Sequence, residues 1–102
     1  MTTDRHRELR DYDVRPSLSL TPAMEESERL TREEVRRTGC FVEQVVHSRP
    51  KSDGSWGMLV RHRGFDGTHW ETLFKCFPSG GRQEVFCRPN TKPDGILENR
   101  DD

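Results

Sequence analysis

What this chain has least of is apolar material to bury. Of its 102 residues, 29% are hydrophobic and 34% are charged, against ~45–50% apolar in ordinary globular chains. The shortage is uneven. Residues 1–20 offer little beyond Leu9, Val14, Leu18 and Leu20, and residues 89–102 only Ile96 and Leu97. A large core and a second domain are therefore excluded. The chain supports one small domain of marginal stability, for which a partner chain, a metal or a ligand could supply support.

Other absences narrow the class. No run approaches the ~18 apolar residues a membrane span needs. Met1–Arg10 is polar and charged, unlike a secretory signal. Three Cys without a CxxC pair make no disulfide framework, so a reducing, cytoplasmic setting is expected. An excess of positive charge is also missing. Net charge is −1: residues 1–38 carry −1, residues 39–88 carry +2 and residues 89–102 carry −2. Binding along a phosphate backbone normally needs more. No nucleophile elbow, phosphate-cradling glycine loop, paired-carboxylate motif or dinucleotide fingerprint occurs. The expectation is a non-enzymatic protein without a cofactor.

What is present is concentrated between Gly39 and Arg88. Both Trp, all three Cys and all five Phe lie there. Four apolar runs (Cys40–His47, Trp56–Arg63, His69–Phe77 and Glu84–Arg88) alternate with Ser52-Asp53-Gly54, Gly64-Phe65-Asp66-Gly67 and Ser79-Gly80-Gly81. Gly and Asp reach positive φ at low cost, as tight hairpins require. The pattern predicts a four-stranded antiparallel meander. Period-2 alternation puts Trp56, Met58, Val60 and His62 on one face of the second run. Trp70, Thr72, Phe74 and Cys76 share a face of the third. In the first, Phe41 and Val45 oppose Val42 and Val46; in the fourth, Val85 and Cys87 oppose Phe86. With apolar residues on both faces, the sheet needs two covers or must curl into a small open barrel.

Thr21-Pro22 opens a helical segment with an N-cap and a first-turn proline. Thr31-Arg32-Glu33-Glu34 reads as a stronger start, a capping box with Leu30 and Val35 as a hydrophobic staple. Gly39 stands where a left-handed cap would end the helix. Arg32–Thr38 is thus expected to be helical, with Pro22–Leu30 either continuous with it or separate. The fold expected is α+β: a short N-terminal helix followed by the meander. Residues 1–20 read as a disordered arm, residues 21–97 as the domain and residues 98–102 as an acidic tail.

Several groupings could carry chemistry. If residues 64–67 form a four-residue loop, His62 faces His69 across the hairpin, and Glu71 or Cys76 could complete a metal site. Cys40, Cys76 and Cys87 could join such a set, but zinc ligands usually come in close pairs, and Cys is also a common core residue. Neither a metal nor a Cys–His nucleophile is expected. Ser79-Gly80-Gly81-Arg82 could form an anion nest but reads better as a turn. The charges of Glu33, Glu34, Arg36 and Arg37 read as a solvated helix face.

The most suggestive set is aromatic and basic: Trp56, Arg61, Arg63, Trp70 and Phe74. These are the residues expected to contact a partner. The function expected is a small protein-binding or regulatory module using an aromatic sheet face or an open edge strand, with homodimerisation through face or edge as one form of it. The alternatives are a single-strand nucleic-acid-binding small barrel and a small metal-binding domain.

Overall fold

The computed structural model describes residues 19–91. It contains one helix, α1 (Pro22–Arg37), and four strands, β1 (Phe41–His47), β2 (Trp56–Arg63), β3 (His69–Cys76) and β4 (Arg82–Pro89). The strands pair antiparallel in sequence order, so β1 and β4 are the edges of an open sheet. The small-barrel form is not adopted. The expected arm up to Leu18 and the expected acidic tail lie outside the described residues. Among the described residues, no helix is long and apolar enough to cross a membrane.

The helix is continuous, and its start is Thr21 rather than Thr31. The Thr21 hydroxyl accepts from the Met24 backbone N–H at 3.2 Å, and the Thr21 N–H donates back to the Met24 thioether at 3.4 Å. Pro22 follows at the first helical position, where no N–H is needed. The expected capping box is overridden because Thr31 is wanted elsewhere. Met24, Ser27 and Thr31, spaced three and four apart, form the buried stripe. Two of those three are small, so the helix can lie close on the sheet. At the far end, the Gly39 N–H bonds the Arg36 carbonyl at φ +85°, and the Cys40 N–H bonds that of Val35. Gly39 therefore ends the helix as its position predicts.

The core lies between α1 and the sheet. Met24 enters a cluster of Trp56, Met58, Val60 and Cys76, with Ala23, Val42, Val45 and Phe74 packed around it. This is the face expected to carry Trp56, Met58 and Val60. The opposite face carries the buried side chains of Val46, Leu59 and Leu73, together with Arg61 and Glu71.

Two bulges change the edge strands. In β1 the register slips at Glu43, so Val42 pairs with His62 while Val45 pairs with Val60. Val42 and Val45 consequently share the helix side, and Phe41, opposite Arg63, takes the other. The expected alternation fails here because one inserted residue reverses every side chain before it. In β4 the slip falls at Val85, between the Leu73–Phe86 and Phe74–Glu84 pairs.

Removing the Met24 side chain should create a cavity under Trp56. Met24→Ala is expected to cost ~2–5 kcal/mol in urea unfolding. Thr31 is buried and its hydroxyl finds no hydrogen-bond partner among the described residues. Thr31→Val should therefore raise stability, by about 1 kcal/mol. A Val variant less stable than wild type would show that the hydroxyl is satisfied.

Candidate functional site

The sheet separates the five residues expected to form one surface. Trp56 is 1% exposed and sits in the core under α1. Trp70 and Phe74 lie on the same side, half-buried, and the Arg82 guanidinium covers the Phe74 ring at 5.1 Å. Arg61 points to the other face and is buried. It hydrogen-bonds Gln44 at 3.2 Å and lies 3.8 Å from the Glu71 carboxylate, which also binds Arg88 at 3.2 Å. Arg63 is exposed on that same face and stacks on Phe41 at 5.5 Å. Trp56 and Arg61 are thus buried on opposite faces of the sheet, and Arg63 is accessible on a different surface from Trp70 and Phe74.

The expected histidine pair does not form. His62 faces Trp70, and His69 faces Arg63. The cause is the turn. Gly64 and Thr68 close the hairpin through the Gly64 N–H to the Thr68 carbonyl at 2.8 Å, with Gly67 at φ +88°. The loop is Phe65-Asp66-Gly67, three residues and not four, which moves the register by one. His62 bonds the Thr72 hydroxyl at 3.0 Å, and burial holds its pKa below the usual value against a weaker upward pull from Glu43. His69 meets Glu43 at 2.9 Å. Among the described residues, no three His, Cys, Asp or Glu side chains converge as metal ligands. Cys40, Cys76 and Cys87 are all unpaired thiols. Cys76 is in the core beside Ser27, where burial pushes its thiol up to about 11.

The same stretch holds a polar link that the sequence reading missed. His47, at the end of β1, is buried. Trp56 Nε1–H donates to its Nδ1 at 3.1 Å, which leaves the ring proton on Nε2, facing Glu28 Oε1 at 2.8 Å. The imidazole joins helix to sheet with both nitrogens engaged, so it offers no base for a nucleophile.

An exposed aromatic patch lies at the other end of β1. Phe65, at the tip of the β2–β3 loop, is 84% exposed, and Phe41 is 58% exposed. A Cβ placed on Gly39 would lie 3.9 Å from Phe65 Cδ1, so that ring stands beside the helix-to-strand turn. Beside this turn a cleft of about 400 Å³ is lined by Arg32, Arg36, Gly39, Cys40, Phe41 and Val42. Sequence reasoning assigned Phe65 to a turn and Phe41 to a strand face. The signal appears only with the loop length, since an aromatic inside a three-residue loop cannot reach a core. Comparison with known protein families, curated proteins and solved structures returns no match.

Glu28 should give the helix–sheet link a pH dependence. Burial raises its carboxyl, but hydrogen bonds from His47 and Arg32 outweigh this and hold it below the usual range. The unfolded value is ~4.3, so the stabilisation is complete above that pH and is lost as pH falls through the lower folded value. In urea unfolding, the stability gap between wild type and Glu28→Gln should narrow from pH 5 towards about pH 3. A constant gap would rule this carboxylate out as the source. Thiol labelling should separate the cysteines: exposed Cys87 reacts in the native protein, and buried Cys76 only once it unfolds. Equal native rates would contradict the burial.

Proposed function

We propose that this chain is a small, non-enzymatic protein-binding or regulatory module of the cytoplasm. Its contact surface is the cleft at the helix-to-strand turn and the aromatic pair beside it. The carrying observation is the exposure of Phe65 and Phe41 at the rim of a cleft. Exposed aromatic rings next to a cleft with an apolar floor are typical anchors of protein interfaces. Three unpaired thiols support a reducing compartment.

Two observations favour this surface over the other readings. Both edge strands carry bulges, at Glu43 and Val85. Bulged edges resist strand addition, which argues for docking through side chains and against an edge-to-edge dimer. Nucleic-acid stacking needs open ring faces. Yet Phe74, Phe77 and Phe86 are already met by Arg82, Lys75 and Arg88. Phe74's partner Arg82 is in turn held by Glu34, and Arg88 by Glu71.

Selection of a random peptide display library on the immobilised full chain tests the proposal. Phe65→Ser changes an exposed loop side chain, so it should melt like wild type while weakening the selected peptides about tenfold or more. Peptides that bind wild type and Phe65→Ser equally, or no selected peptide at all, would overturn this surface.

A further inference from the structure

We infer that the segment seated in this cleft is acidic, with an apolar anchor between its carboxylates. The inference rests on the docking surface proposed above and adds its charge. Three Arg side chains of α1 and β2 lie at or next to the cleft: Arg32, Arg36 and Arg63. Arg36 lines the cleft, and Arg63 lies over the ring of Phe41, which also lines it. Among the described residues, Arg36 and Arg63 make no ion pair.

The neighbouring acids are engaged elsewhere. Glu33 binds Arg29 at 2.9 Å, Glu28 binds Arg32 at 2.8 Å, Glu34 binds Arg82, and Glu43 binds His69 at 2.9 Å. The end of a helix also carries partial negative charge on its last carbonyls. Here the Thr38, Gly39 and Cys40 N–H groups bond the carbonyls of Glu34, Val35 and Arg36, which blunts it. Among the described residues, Arg36 and Arg63 are therefore left without a carboxylate partner beside an apolar floor of Cys40, Phe41 and Val42. A guanidinium is less strongly hydrated than an ammonium and forks onto a carboxylate in two bonds. Phe65 and Phe41 supply the apolar contact, and Arg36 with Arg63 the charge contact. A neutral or basic segment would leave those cations without partners.

The test uses the full chain and fluorescein-labelled decapeptides read by anisotropy. One peptide carries a central Leu-Phe flanked by Asp and Glu; in the others Asn and Gln, or Lys, replace the acids. The acidic peptide should bind, and the Lys peptide should not. Arg36→Glu and Arg63→Glu, both at exposed positions, should each weaken the acidic peptide about tenfold, and salt should do so as well. Equal binding of acidic and neutral peptides, still dependent on Phe65, would overturn the charge inference while leaving the docking surface standing. Failure of every peptide would overturn both. The chain's own Glu98, Asp101 and Asp102 are a competing source of acid. If Asp101→Asn with Asp102→Asn increases binding of the neutral peptide as strongly as of the acidic one, the cleft serves the chain's own end, and the inference of a separate acidic partner falls.

Discussion

His47 brings three elements together through one ring. Its Nδ1 accepts from Trp56 on β2, its Nε2 faces Glu28 on α1, and its backbone belongs to β1. A chain with so few apolar residues cannot hold a helix on a sheet by burial alone. The polar link also fixes where the helix sits. Once Glu28 is held at His47, Met24 falls over Trp56 and Ser27 over Cys76, and the small residues of the stripe meet the sheet. The buried polar groups are affordable because the ring has a partner at each nitrogen. From that placement, the helix must end near the start of β1, and the cleft follows.

The elements themselves were legible. Apolar runs separated by Asp and Gly gave four strands, and Gly39 gave the end of the helix. Register was less legible. The distinction between a three- and a four-residue loop at Phe65-Asp66-Gly67 depends on whether Thr68 closes with Gly64, a backbone choice that composition does not display. Bulges are similarly silent. Nothing in Phe41-Val42-Glu43 announces that Glu43 is skipped, yet that one residue sends Val42 to the core and Phe41 to the surface. The Thr31 capping box was a sound local signal defeated by tertiary demand, because the sheet needed a small side chain at that point on the helix.

The candidate surface was legible only in part. Of the aromatic and basic residues expected at one contact surface, the sheet buries Trp56 and Arg61 and puts Arg63 on the opposite side from Trp70 and Phe74. Trp56 and Arg61 were read by type, and both types are favoured at interfaces and in buried networks alike. Only position separates the two uses. Arg63 is exposed because the burial that takes in Arg61 stops before the end of β2. Phe65 became visible once the loop length was known, since three loop residues leave its side chain no path to the core.

The hairpin ends differ in how far they are tied down. The β1–β2 and β3–β4 loops share one end of the sheet, where a Cβ on Gly54 would lie 3.0 Å from Pro78 Cγ. Each constrains the other. The β2–β3 loop lies at the opposite end, where only the Phe65 ring approaches the helix-to-strand turn, and a Cβ on Gly67 would meet nothing within 4 Å. Its conformation needs Gly67 at positive φ and the Asp66 carboxylate on the Thr68 N–H at 3.0 Å. Position 65 is bound by neither requirement. Substitution there can therefore alter the exposed surface of the loop without disturbing how the domain folds.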